Sequence, residues 1–294
     1  MTIRPRRSVL YMPGSNARAL EKAKTLPTDA VILDLEDSVA PDAKAAAREQ
    51  VAAVAKAGGV GAREVVIRVN GLSGPWGMAD LEAAAAVAPD AILIPKVSKP
   101  EDVFEAVAVL DRLGTPESVG VWAMFETPLA VLNAREIAAA KSVTEGRRLA
   151  VLVLGTNDLA KETRARFVPG RTTMLPWLTT ALAAARAFGL DVIDGVYNNL
   201  SDADGFRIEC EQGRDLGMDG KTLIHPNQLA VANEVFSPSA AEIEQARKII
   251  AAFALPENAS KGVISLDGKM VERLHAEMAE RVVAIADAIA AAGA

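Results

Sequence analysis

The sequence has one cysteine, Cys210, and two histidines, His225 and His275, in 294 residues. A single thiol cannot close an internal disulfide or build a cysteine-based zinc site. There is no Ser-His-Asp spacing, no P-loop and no GxGxxG fingerprint. The net charge is −6, so nothing in the charge balance favours nucleic acid or an anionic membrane surface. No apolar run approaches the length of a membrane span. Behind the basic start, Arg4, Arg6 and Arg7, the apolar run Ser8–Met12 is cut off by Pro13-Gly14, too soon for a signal-peptide core. These absences lead us to expect a reduced, cytoplasmic, soluble protein.

Half of the residues are hydrophobic although only 4% are aromatic, and a chain of this length can bury a large core. Short β-branched runs alternate with alanine-rich helical segments. The runs are Ser8–Met12, Ala30–Leu35, Glu64–Val69, Ala91–Val97, Val119–Phe125, Leu149–Leu154, Leu190–Val196 and Thr222–His225. Most are apolar almost throughout, as suits parallel strands covered on both faces. Asn16 is placed to cap a helix over Ala17–Thr25, Pro41-Asp42 opens Ala43–Ala57, Lys99-Pro100 opens another helix, and Ser201-Asp202 opens the one that carries Cys210. Eight strand–helix units in about 250 residues predict a (β/α)8 TIM barrel, with a doubly wound open sheet as the rival. We expect residues 1–254 to form the barrel. Residues 255–294 would be a helical extension packing on the barrel or a neighbouring subunit, with an irregular Leu255–Gly268 and a last helix from about Met270 to Ala292. The stretch Leu159–Pro176, with Arg164, Arg166 and Arg171, reads as a long polar loop over the barrel mouth.

Polar residues gather where the apolar runs end, which is where barrels and open α/β sheets hold their chemistry. Glu126 and Asp158 end neighbouring runs, and two carboxylates without nearby cysteine or histidine make a hard oxygen site suited to Mg²⁺, with Mn²⁺ as a substitute. Each could instead cap a helix. Asp34-Leu35-Glu36-Asp37 follows Val31-Ile32-Leu33, and an inward acid there needs a cation, metal-bound water or backbone N–H. Glu36 and Asp37 are read as orienting metal water or holding Arg68. Arg68 suits a carboxylate or a developing oxyanion, or a salt bridge to those acids, or both. Lys96 offers an ion pair or a Schiff-base amine. Gly155-Thr156-Asn157 presents backbone N–H groups beside Asp158, a cradle for a substrate carboxylate. His225 and His275 read as structural.

Taken together, Arg7–Asn16, Leu33–Asp37, Ile67–Gly71, Ile94–Val97, Glu126-Thr127, Ile224–Gln228 and Leu266–Met270 resemble the citrate lyase β-subunit and malyl-CoA lyase family of the HpcH/HpaI aldolase superfamily. The motifs stand in the family's order across nearly the whole chain, and Thr163–Arg166 is similar to the malyl-CoA lyase branch. The resemblance implies a trimeric or hexameric TIM barrel that cleaves or forms 3-hydroxyacyl-CoA thioesters. Glu126 and Asp158 would then bind Mg²⁺, Arg68 would contact substrate oxygens, and Glu36 and Asp37 would support them. Gly155–Asn157 would hold the keto-acid carboxylate, and Arg7 and Lys22 would meet the phosphates of coenzyme A, which is part of the substrate. Glu272 stands where the family has an aspartate, in a tail that reaches a neighbouring subunit's site and acts in proton transfer. The carboxyl is one methylene longer here, so either Glu272 performs that role or the Claisen and thioesterase activities of some relatives are weakened.

The expected reaction is magnesium-dependent cleavage of the carbon–carbon bond of a malyl-, citramalyl- or citryl-CoA type thioester, giving acetyl-CoA and a 2-keto acid. Three readings compete with it. They are a malyl-CoA thioesterase using the same site, a citrate lyase β subunit working only within its complex, and a barrel that has lost catalysis and only binds.

Overall fold

The computed structural model describes residues 4–59, 61, 63–258 and 260–293. The eight apolar runs form eight parallel strands that close into a barrel in sequence order, which excludes the open sheet. They are β1 (Ser8–Pro13), β2 (Ala30–Asp34), β3 (Glu64–Arg68), β4 (Ala91–Ile94), β5 (Gly120–Phe125), β6 (Leu149–Leu154), β7 (Asp191–Asp194) and β8 (Gly220–Leu223). Helices lie between successive strands, and their starts follow the sequence signals. Asn16 accepts from the Ala19 N–H at 3.1 Å, Asp202 accepts from the Gly205 N–H at 2.9 Å, and the helix Lys44–Ala57 ends at Gly58, whose φ is +65°. Caps of this kind are worth about 1 kcal/mol each.

Side chains alternate along each strand, and the inward set includes Val9, Ile32, Val66, Leu93, Trp122, Met124, Val151, Val153 and Ile193, which pack as one cluster. The same alternation carries the inward face on to polar residues at both ends. Towards the strand starts, Arg6 holds Glu64 at 2.7 and 2.8 Å and also Asp191, with its guanidinium over the Trp122 ring. Towards the strand ends, two residues beyond Ile32, Val66, Met124 and Val153, come Asp34, Arg68, Glu126 and Gly155.

The chain divides into two compact units, Arg6–Asn233 and Glu234–Ala294 with Arg4 and Pro5. The second unit contains the helices Ala240–Ala254 and Arg273–Ala291. Between them the structure corrects the expectation of an irregular segment running into a helix. Strands β9 (Val263–Leu266) and β10 (Lys269–Glu272) form an antiparallel hairpin, and the last helix begins only at Arg273. Asp267 and Gly268 both have positive φ, +51° and +75°, the turn that an Asp-Gly pair favours.

The stretch Leu159–Pro176 is less of a loop than expected. Its first residues continue the helix Thr156–Thr163, and Arg171 folds onto Asp194 at the end of β7. Only 5% of Arg171 is exposed, and its guanidinium bonds Asp194 at 2.7 and 2.9 Å. Lys221, Glu209 and Gln212 complete that network. Among the described residues no helix is long and apolar enough to cross a membrane.

Candidate active site

Asp34 and Arg68 are register partners on β2 and β3. Arg68 donates to both carboxylate oxygens of Asp34, from Nε at 2.6 Å and from Nη2 at 2.7 Å. This fork-to-fork pair is buried, so each ion holds the other in its charged state. Burial alone would raise the Asp34 carboxyl, but Arg68 outweighs it and holds the pKa below the ordinary carboxylate value. Arg68 also reaches Asp37 at 3.4 Å, and its guanidinium stacks over the Tyr11 ring at 4.8 Å. Glu36 Oε2 lies 2.8 Å from Arg68 Nη1, but at an angle that leaves this buried oxygen without a hydrogen bond. Burial pushes the Glu36 carboxyl up to about 7, against the opposing charge of Arg68 and with help from Asp37 and Asp34.

The turn that carries Glu36 is fixed from below. Lys44 Nζ donates to the Leu35 and Glu36 carbonyls at 2.9 and 2.6 Å and to Asn70 at 2.7 Å. Asn70 in turn bonds Asp80. Sequence reasoning offered Arg68 a salt bridge to one of the acids of Asp34–Asp37 without singling out Asp34, and it missed Lys44 and Tyr11. The equal lengths of the two runs before Asp34 and Arg68 were the only signal for the pair.

Glu126 stands just beyond β5. Burial, followed by the charge of Glu36, pushes its carboxyl up to about 8. One oxygen accepts from the Lys96 backbone N–H at 2.8 Å, a contact made possible by the left-handed backbone of Lys96, φ +55°. Burial works against the Lys96 ammonium, but Asp158, Glu36 and Glu126 outweigh it and hold its pKa above the ordinary lysine value. Gly155 is glycine for a steric reason. A Cβ there would sit 2.4 Å from Glu126 Cβ and 2.5 Å from Glu126 Oε2, so the strand end after β6 can pass the carboxylate only without a side chain.

A cavity of about 350 Å³ brings together Arg68, Asp37, Glu126, Asp158 and the segment Gly155–Asn157. Thr156, Asn157 and Asp158 are the first residues of the helix Thr156–Thr163. Their backbone N–H groups have no carbonyl a turn earlier to bond, which makes the helix start an anion seat. Glu126 and Asp158 face this one space, and each contributes to the negative potential felt by Lys96. The donor set fits a hard divalent cation that takes a few carboxylates and completes its shell with water and substrate oxygens. Among the described residues no group of three or more His, Cys, Asp or Glu could hold a metal.

Other expected site residues lie elsewhere. Arg7 precedes β1, at the barrel end opposite the cavity, and its guanidinium and backbone N–H bond Asp29 at 2.7 to 2.8 Å. This position removes Arg7 from the mouth. Lys22 is exposed on the helix Ala17–Ala23 and does not line the cavity. Glu272 ends β10 in the second unit, where its N–H donates to His275 Nδ1 at 2.9 Å. His225 Nδ1 accepts from the Asn227 N–H at 3.2 Å, closing a turn.

Residues 7–226 match the family model described as HpcH/HpaI aldolase/citrate lyase. The chain is 53% identical over 287 residues to a (3S)-malyl-CoA thioesterase of Cereibacter sphaeroides, covering 98% of this chain and 96% of that one. It is 34% identical over 274 residues to citrate lyase subunit beta of Escherichia coli, covering 92% and 89%. Among solved structures it resembles the protein CitE of Mycobacterium tuberculosis in complex with magnesium, acetoacetate and coenzyme A. There the identity is 27% and the TM-score 0.75, over 96% of this chain and 99% of that one.

Proposed function

The chain belongs to the HpcH/HpaI aldolase/citrate lyase family, and from that premise we propose that it is a magnesium-dependent enzyme hydrolysing malyl-CoA or a close homologue. The observation that carries the hydrolytic reading is the likeness to the (3S)-malyl-CoA thioesterase over nearly the full length of both chains. Glu126 and Asp158 would hold Mg²⁺, which when bound polarises substrate oxygens. The Gly155 N–H is taken by the Phe125 carbonyl at 3.0 Å, so it is the N–H groups of Thr156 and Asn157, at the helix start, that receive the free carboxylate of the acyl unit and fix its orientation. Arg68, held by Asp34 and steadied by Glu36 and Asp37, keeps N–H groups for the oxyanion that forms as water adds to the thioester carbonyl. The carbon–sulfur bond then breaks, and the products are malate and the coenzyme A thiol.

A second reading is cleavage of the carbon–carbon bond. It is favoured by the likeness to citrate lyase subunit beta and to CitE, whose structure holds acetoacetate and coenzyme A beside magnesium. In that reaction the hydroxyl loses its proton, the bond to the thioester α-carbon breaks, and the acetyl-CoA enolate takes a proton. Glu272 is the carboxyl we propose for that transfer, in a trimer or hexamer, and Lys22 remains a candidate contact for a coenzyme A phosphate.

The deciding experiment is product analysis of the purified chain with malyl-CoA and Mg²⁺. Free malate with coenzyme A supports hydrolysis; glyoxylate with acetyl-CoA moves the assignment to lysis. Turnover of neither kind by the chain alone overturns both readings.

A further inference from the structure

Beside the active cavity lies a second cavity of about 470 Å³. The two share Thr156, Val196 and Asn198 as lining residues, so the wall of one continues into the other. At that seam Asn198 and Asn157 exchange amide hydrogen bonds at 2.8 and 3.2 Å. Away from the seam the lining includes Phe167, Val168 and Ile208. Phe167 is 57% exposed and Ile208 62%, and large apolar side chains left open around a concave space are the usual mark of a site for apolar groups.

The charged residues of the second cavity are already committed. Arg171 is spent on Asp194 and Gln212, Glu209 on Lys221, and Asp202 on the Gly205 N–H and the Tyr197 hydroxyl. The remaining Arg171 Nη2 has no partner and is buried out of reach of solvent. An anionic occupant therefore finds no open cation there.

We propose that the second cavity receives the substituent on the hydroxyl-bearing carbon of the acyl unit, and that the chain accepts apolar substituents larger than methyl at that carbon. This inference rests on the thioester reading above, because the carboxylate seat at Thr156 and Asn157 is what orients the acyl unit. The seated carboxylate and the substituent share one carbon. With the carboxylate on the N–H groups at Thr156, the substituent starts within a bond or two of the seam that Thr156 helps to form.

The test uses the full chain with Mg²⁺ and three 2-oxo acids that differ only in substituent: pyruvate, 4-methyl-2-oxopentanoate and 2-oxoglutarate. Calorimetry should show 4-methyl-2-oxopentanoate binding at least tenfold more tightly than pyruvate, as three more buried carbons allow. Ile208→Asp, a change at an exposed helix position, should cut that preference at least fivefold. Equal affinity for the two, a preference for 2-oxoglutarate, or a preference untouched by Ile208→Asp would overturn the inference. If pyruvate binds without a gain for the larger acid, this inference alone fails. If no 2-oxo acid binds, the carboxylate seat and this inference fail together, while product analysis with malyl-CoA still decides the hydrolytic reading.

Discussion

Arg68 is a structural ion through Asp34 and, in the proposed function, the cation that meets the oxyanion, and the two duties predict different variants. Removing its guanidinium strands buried Asp34, a defect that typically costs about 3–5 kcal/mol. Arg68→Ala should therefore lose both turnover and stability. Arg68→Lys keeps the charge but not the planar fork, so it should stay folded in thermal melts while kcat falls by two orders of magnitude or more. Unchanged kcat in Arg68→Lys would remove Arg68 from the chemistry.

Glu36 carries a pH signature at the same scale. Its folded pKa is raised from 4.5 to about 7, so the native state keeps a proton that the unfolded chain releases. The contribution of this group to stability is full below about pH 4.5 and is lost as pH rises towards 7. Relative to wild type, Glu36→Gln should gain roughly 2–3 kcal/mol between pH 4 and pH 8, read from urea unfolding with a chelator present. A gain on going to lower pH would show that the burial argument has the wrong sign.

At the scale of elements, the site depends on how closely the end of β6 passes that of β5. Gly155→Ala puts a methyl group 2.4 Å from Glu126 Cβ and 2.5 Å from Glu126 Oε2, and either the strand end or the carboxylate must move. The expected result is at least a tenfold loss of Mn²⁺ affinity in a direct titration, with the barrel still folded by circular dichroism. Wild-type affinity would mean that Glu126 is not a ligand in its present position. The hairpin β9–β10 is an element lesson of another kind. Asp267-Gly268 is the strongest short signal for a two-residue hairpin turn, yet the flanking strands have only four residues each, and a helix with its own strong pattern follows. That helix pattern dominated the reading and absorbed β10.

At the scale of the whole molecule, the barrel is an apolar cylinder closed by polar residues at both ends, and only one end carries the cavity. The other end is the cluster of Arg6, Glu64, Asp191 and Trp122. Glu64 is 2% exposed, and Glu64→Ala should cost about 3–5 kcal/mol in urea unfolding by leaving Arg6 short of a partner. Turnover per folded molecule should hold, since the change lies a full strand length from the cavity. Glu272→Gln makes the opposite prediction. Unfolding should be unchanged within about 0.5 kcal/mol, while proton exchange at the acetyl-CoA methyl, followed by NMR, should fall at least tenfold. Undiminished exchange would leave Glu272 as a helix-start residue only. Analytical ultracentrifugation tests the trimer or hexamer independently.

Local pattern was enough to give the eight strands and the family, while closure into a barrel over an open sheet was decided by the tertiary structure. Strand period, run length and ordered motifs are properties of neighbouring residues, and they survive whatever the rest of the chain does. It was likewise enough to select Arg68, Glu126, Asp158 and Gly155–Asn157, because each sits at the end of an apolar run. Three-dimensional packing decided what those residues meet. Asp34 became Arg68's partner through a register between strands 34 residues apart in sequence, and Gly155 proved necessary only because Glu126 lies against it. Arg7, read as a coenzyme A phosphate contact, and Arg171, read as part of a loop at the mouth, pair with Asp29 and Asp194. A sequence shows that a charge exists, but the partner that neutralises it comes from a distant segment, and only the closed barrel brings the two together.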